Sequence, residues 1–368
     1  MLLAATVYTT QMAKLQARWK LEAGLPAVKG QKVNTAMTSS TGQVDVPLTW
    51  TKEDYQLLTD GELGPSILGT PDYAGTFVVY DWVTHNIIWQ SQWGNMLVTP
   101  AGYCFADGYL YMNDLEGANI FQIDLENEPG KLLKRISHPY LNDLHSLERT
   151  KRGLLATCSG TDLIIELDLN GNLLWDWWAA DHGFTTTPSG QTRTSGRNQE
   201  HRNQYYHTRY QTTHLNCATL RDPGEERFVL CLLFHQGTLI EIDRSLPPAK
   251  QEPIVHLEGL ARPHSLEKFP GGWIFCNSLS KELVLIDDDL KITDRIPYDG
   301  GWIQDCTRLP NGNLVLNDVD NHVLVEFAGS PYEITRTKPY DANWRMGELV
   351  VVPAEHEGAF LREAVATA

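Results

Sequence analysis

The sequence predicts an all-β protein, a six-bladed β-propeller closed by its N- and C-terminal strands, and three observations predict it. A pattern of four short strands recurs every ~40–50 residues, the period of propeller blades. Its copies are rich in β-branched, aromatic and Leu residues and are punctuated by Gly, Asn and Asp turns. No apolar periodicity of 3.6 residues persists across them.

Five copies are complete: residues 97–126, 143–178, 212–244, 262–288 and 302–327, the fourth beginning RPHSLEKFPGGWIFCNS. The sixth is split. Strands at 75–82 (GTFVVYDW) and 86–92 (NIIWQSQ) lack an inner strand, and 344–353 (WRMGELVVVP) is a strand without partners. Pairing them closes the ring and removes two exposed sheet edges. The propeller is therefore placed at 64–353, with residues 36–70 leaving a seventh blade open. Residues 1–63 read as an arm that is partly helical, because Met12, Leu15, Trp19 and Leu21 are spaced for a short amphipathic helix. Such an arm packs outside the ring or on the partner of a homodimer. The tail 354–368 reads as helical and peripheral.

Composition bounds the partners. With 368 residues, 42% hydrophobic and 21% charged, the chain can bury a sizeable core. Lys+Arg 30 against Asp+Glu 46 gives −16, which argues against nucleic acid and against an anionic membrane. No apolar run approaches the ~20 residues of a membrane-spanning helix. The opening Met1–Val7 lacks a basic stretch and is too short for a secretory signal. Six cysteines without a CxxC sit mostly in apolar runs, as buried thiols of a reducing compartment do. The expectation is a cytoplasmic protein acting on a small molecule.

The repeat also places polar residues. Residues that open the innermost strand of a blade, and those that close the second, converge on the axis of one face. The opening positions read Ala101, His145, His214, His264 and Gln304. Ala and Gln in that slot show that the scaffold does not demand His, so the three imidazoles read as an axial functional cluster. The closing positions add Asn113-Asp114, Ser159, His235-Gln236, Asn277-Ser278 and Asn317-Asp318 as donors and acceptors around the mouth. An insertion at 185–211 lies on the same face and carries Arg193, Arg197, Arg202 and Arg209 against Glu200 alone. It reads either as a lid that binds an anionic substrate or as a solvated loop neutralised by nearby acids. Tyr205, Tyr206 and Tyr210 in it are candidates for an aromatic ligand.

Segment 143–243 resembles the arylsulfotransferase family, through His145 and the run DLNGNLLWDW (168–177), through His214-Leu215-Asn216, and through Phe234-His235-Gln236. The resemblance implies a six-bladed propeller in which a histidine carries the sulfuryl group covalently, without a cofactor. His264 would be that nucleophile, with His145, His214 and Asn216 as stabilisers or acid and base. His235, Arg262, Asn277 and Asn317 would join the lid arginines in binding substrate. The chain departs from the family where an Arg falls on Phe234, so sulfate would have to be held by Arg262 or the lid. Two other classes stay open. His145, His214, His264 and Gln304 could together hold one divalent Fe, Mn, Zn or Cu ion in a lyase, hydrolase or oxygenase. A non-catalytic propeller could instead bind a partner at its mouth.

Overall fold

The computed structural model describes residues 1–9, 37–39, 75–84, 86–91, 99–114, 118–202, 204, 206, 208–342 and 344–366. Six four-stranded antiparallel sheets form the blades of a β-propeller. Blade 1 comprises Pro100–Ala106, Tyr109–Asp114, Asn119–Asp124 and Leu132–Ile136. Blade 2 follows with Leu144–Arg149, Leu154–Cys158, Leu163–Leu167 and Leu173–Trp178, and blade 3 with Leu215–Leu220, Phe228–Leu233, Thr238–Asp243 and Ile254–Leu257. Blade 4 is Pro263–Phe269, Gly272–Asn277, Glu282–Asp287 and Ile292–Pro297; blade 5 is Ile303–Arg308, Leu314–Asp318, Val323–Ala328 and Glu333–Pro339.

The sixth blade closes the ring as expected in kind but not in detail. Its order is Trp344–Val351, Leu2–Thr9, Gly75–Asp81, Asn86–Gln90. Leu2–Thr9, which the sequence reading assigned to the arm, is its second strand, paired with Trp344–Val351 on one side and Gly75–Asp81 on the other. The physical reason is period-2 burial. Leu3, Ala5 and Val7 pack towards Leu309, Val315 and Leu324 of blade 5, while Leu2 and Ala4 pack towards Tyr103, Leu110 and Met112 of blade 1. A strand covered on both faces is apolar almost throughout, here with Thr6 as a buried polar exception, so it shows no alternation to read.

Of the rest of the arm, Met37–Ser39 pairs antiparallel with Gln191–Arg193 of the insertion rather than extending a blade. The helix expected over Met12–Leu21 lies outside the described residues. The tail is helical, Ala354–Ala366, but it is not merely peripheral. Phe360 is fully buried, its ring 5.3 Å from Trp89 and 6.2 Å from Phe105, sealing the seam between the closing blade and blade 1. No helix among the described residues is long and apolar enough to cross a membrane. The six cysteines are free thiols.

Candidate functional site at the pore mouth

The opening residues of the inner strands ring the axis, and the closing blade adds one that the sequence reading passed over, Arg345. Each histidine is held through the same ring nitrogen. His145 Nδ1 lies 3.0 Å from the backbone oxygen of Asp143 and 3.0 Å from Ser159 Oγ. His264 Nδ1 lies 3.0 Å from the Arg262 oxygen and 2.9 Å from Ser278 Oγ. A carbonyl oxygen only accepts, so Nδ1 carries the proton and the lone pair is on Nε2. The closing-position serines therefore orient the histidines of their own blades.

His214 is fixed by a residue the sequence reading missed. Its Nδ1 donates to Gln211 Oε1. Gln211 Nε2 in turn donates to Asp143 Oδ2 (2.8 Å) and to the Tyr206 oxygen (2.7 Å), which settles which end of the amide is which. His214 itself takes a left-handed backbone, φ 48°, costly for a side chain with a Cβ. Asp162 of blade 2 holds it there, accepting from the amides of Thr212 (2.7 Å), Thr213 (2.8 Å) and His214 (3.0 Å). Among the described residues, Nε2 of His145, His214 and His264 makes no hydrogen bond, so all three present a lone pair to the pore. His235 does not: its Nε2 donates to the Thr208 oxygen (2.8 Å) and its Nδ1 accepts from Arg262 (2.7 Å).

Burial drives the His214 imidazole far below its usual pKa, helped by His145, His235, His264 and Arg262. Burial likewise lowers His264 to about 3, with His145, Arg345 and Arg262 adding to it. Both rings are neutral at physiological pH.

The cluster is not one set of three. His145 and His214 rings lie 4.8 Å apart, and Asp143, His145 and His214 each offer a ligand atom within 4.8 Å of the others. The Phe234 ring stands between His214 (4.8 Å) and His264 (5.1 Å). His264 thus faces Phe234 and Trp302 (5.3 Å) instead. Gln304 is turned away from a ligand role as well, since its Oε1 takes the Trp302 indole N–H at 3.2 Å and Arg345 at 3.5 Å.

Most of the expected substrate-binding residues have structural partners. Arg193 is buried in an ion pair with Asp162 (2.6 Å). Arg197 pairs with Asp176 and Asp181, and Arg202 with Glu200. The insertion is therefore tied down by neighbouring acids, as the blander of its two readings had it; the Arg209 side chain and Tyr205 lie outside the described residues. Asn277 caps a turn, accepting from the Ala261 amide (2.6 Å) and donating to Glu282 (2.7 Å). Asn317 joins blade 5 to the closing blade through the Met346 oxygen (3.0 Å), and Asn216 joins blade 3 to blade 4 through the Pro263 oxygen (2.9 Å). The Asn216 amide N–H is thereby spent on the scaffold. Arg262 remains at the mouth, its guanidinium 4.6 Å over the Phe234 ring.

Behind the histidines the channel opens into a cavity of about 260 Å³, lined by Glu148, Glu267, Asp305 and Glu348 among others. Burial raises all four carboxyls: Glu148 and Asp305 to about 7, Glu267 to about 8, and Glu348 well above its usual range. Three of these residues have bonds to the next inner strand or its neighbour: Glu148 to the Leu220 amide (2.7 Å), Glu267 to Thr307 Oγ1 (2.9 Å), and Asp305 to the Leu349 amide. The sequence carried a signal for two of them, since HSLE recurs at 145–148 and 264–267.

No protein-family model and no curated relative matches the chain. Solved structures similar to it include the nidogen/laminin complex, at 11% identity over 75% of this chain and 93% of that one, TM-score 0.52. A protein provisionally assigned as a 6-phosphogluconolactonase from Bacteroides uniformis aligns at 14% identity over 73% and 79%, TM-score 0.50. A counterpart from Bacteroides fragilis gives 14% over 76% and 81%, TM-score 0.47. At such identities the likeness establishes the propeller architecture and leaves the chemistry to the site.

Proposed function

We propose that the chain is a metal-dependent enzyme acting on a small molecule at the mouth of its central pore, with one divalent ion held by Asp143, His145 and His214. The observation that carries this is the convergence of those three ligand atoms within 4.8 Å, with the proton of each histidine committed to Nδ1. Fixing the far ring nitrogen on an oxygen acceptor is how proteins orient metal-binding imidazoles. Two histidines and one carboxylate, from a site open to the pore, suit Zn, Mn or Fe with positions left for substrate or water. Such an ion supplies Lewis acidity to a carbonyl or acyl oxygen. His264, across the mouth with a free Nε2, stays neutral and would orient the reacting molecule by accepting a hydrogen bond from it; its pKa of about 3 makes it too weak a base to take the proton itself.

Sulfuryl transfer through His264 is the second reading, supported by that same free Nε2. It is the weaker one, because Arg193, Arg197 and Arg202, which would have offset charge on the transferring group, are held by acids.

Metal analysis of the purified protein tests both. About one Zn, Mn or Fe per chain, lost in His145→Ala and His214→Ala but retained in His264→Ala, is expected. A chain that binds none of these ions yet transfers sulfate from an aryl sulfate, and ceases to as His264→Ala, would replace the metal reading with the covalent one.

A further inference from the structure

We propose that the part of the pore mouth between Arg262 and Arg345 is a subsite for an organic carboxylate with a flat, unsaturated or aromatic body. This deepens the metal reading, on which its catalytic meaning rests, although the binding itself does not need the ion.

The argument begins with where guanidinium charge is left over. Arg193, Arg197 and Arg202 each face a carboxylate. Arg262 and Arg345 do not: among the described residues neither has an ion pair. Arg262 donates to His235 Nδ1 (2.7 Å) and lies over the Phe234 ring. Among the described residues, Arg345 reaches only Gln304 Oε1, at 3.5 Å. A guanidinium carries five N–H donors, so both arginines keep N–H groups for an arriving oxygen. In a chain of net charge −16, two cations without acids at one pore mouth select for an anion.

The shape of the surroundings narrows the class. The side edge of a guanidinium offers two parallel N–H groups, the spacing of the two oxygens of a carboxylate. Between the two arginines stand Phe234, Trp302 and His264, with Trp302 5.3 Å from His264 and 6.5 Å from Phe234. Those rings form apolar walls suited to a planar body. On the far side of Phe234 lie His214 and its neighbours, so a ligand anchored on the arginines extends towards the proposed ion. Among the described residues, the inner-strand position between Arg345 and His145 is the short side chain of Ala101.

The test is calorimetric titration of benzoate into protein dialysed against EDTA and into the same protein with one equivalent of Zn²⁺, with benzamide and phenyl phosphate as separate arms. Benzoate is expected to bind in both states and benzamide in neither. Arg262→Gln and Arg345→Gln should each weaken benzoate at least tenfold, and Arg345→Lys less than Arg345→Gln, with melting curves confirming that each variant is folded. No benzoate binding by the parent, equal binding of benzamide, or less than a twofold change in both Gln variants overturns the proposal. Phenyl phosphate binding more tightly than benzoate, with the same arginine dependence, overturns the carboxylate assignment. His145→Ala separates the two ideas: it should lose Zn²⁺ and keep benzoate. If the parent binds benzoate but no metal, the metal reading falls and the subsite stands.

Discussion

Phe234 divides the pore mouth, its ring centroid 4.8 Å from that of His214 and 5.1 Å from that of His264. On one side are two histidines and a carboxylate, on the other one histidine with aromatic and guanidinium neighbours. Replacing Phe234 by Arg puts a cation beside the proposed ligands. At short range and partly shielded from water, that repulsion is worth on the order of 1–2 kcal/mol. Phe234→Arg should therefore weaken Zn²⁺ or Mn²⁺ binding roughly tenfold, while Phe234→Leu leaves it within about threefold. Titration calorimetry reads both. An unchanged affinity in Phe234→Arg places the ion elsewhere.

Gln211 is the joint between Asp143 and His214. It has no exposed surface, and its amide uses both ends. Gln211→Leu removes the acceptor that keeps the His214 proton on Nδ1 and the donor that steadies Asp143. Loss of such an orienting partner typically costs 10–100-fold in metal affinity. Gln211→Glu keeps the acceptor for His214 but turns an acceptor towards Asp143 and the Tyr206 oxygen, so it should recover only part of the affinity. A purely structural role predicts instead that both variants lower stability and leave the metal affinity of the folded fraction unchanged.

The residues themselves explain how much of this was legible beforehand. Propeller, blade count and the axial slot follow from repetition, which survives in the sequence because every blade solves the same packing problem. What repetition cannot report is pairing between different segments. Arg193 in isolation reads as a substrate-binding cation; only the fold brings it to Asp162, thirty-one positions away. Leu2–Thr9 was hidden because one of its partners comes from the other end of the chain and the other lies roughly seventy residues on. Gln211 and Phe234 lie outside the repeated slot, one just before blade 3 and the other just after its second strand, so no comparison of copies singles them out. Two of the axial carboxylates are marked in the sequence, because HSLE occurs twice and its Glu recurs with its His.

Arg193 and Asp162 are 3% and 1% exposed, respectively. Removing one partner leaves a buried charge uncompensated and typically costs ~3–5 kcal/mol. Arg193→Ala should thus lower the urea midpoint markedly. It also frees Asp162 from the ion pair that helps hold the strained His214 backbone, so loss of metal affinity should accompany it. If Arg193 touched substrate instead, its removal would raise KM and leave the urea midpoint where it was.

The cavity behind the histidines makes stability depend on pH in an uncommon direction. Glu148, Glu267, Asp305 and Glu348 bind their protons more tightly in the folded chain than when unfolded, because burial penalises their charged forms. Among the other polar groups on the lining, Lys268 is bonded to the Arg221 oxygen and offsets burial only in part at Glu148, while burial also raises Tyr103 and Cys217, which therefore stay neutral. The unfolded chain releases these protons near pH 4–4.5, whereas the folded chain holds those of Glu148, Asp305 and Glu267 to about pH 7–8 and also holds that of Glu348 well above its usual range. Between those limits the folded state carries more protons, so stability falls as pH rises. Below about pH 4 the contribution is fully present; it is lost as pH passes 8. The melting temperature should drop by a few degrees between pH 7 and pH 8.5, where His214 and His264 are neutral in both states and add no opposing slope, since a chain of this size converts a few kcal/mol into only a few degrees. Glu267→Gln replaces a carboxyl held protonated to about pH 8 by a neutral isostere that can still accept from Thr307. It should flatten the alkaline limb of the curve and raise the melting temperature at pH 8.5 while changing it little at pH 5. A melting temperature that rises across this range would mean that the four groups are ionised in the folded protein and that the cavity supplies them with cations.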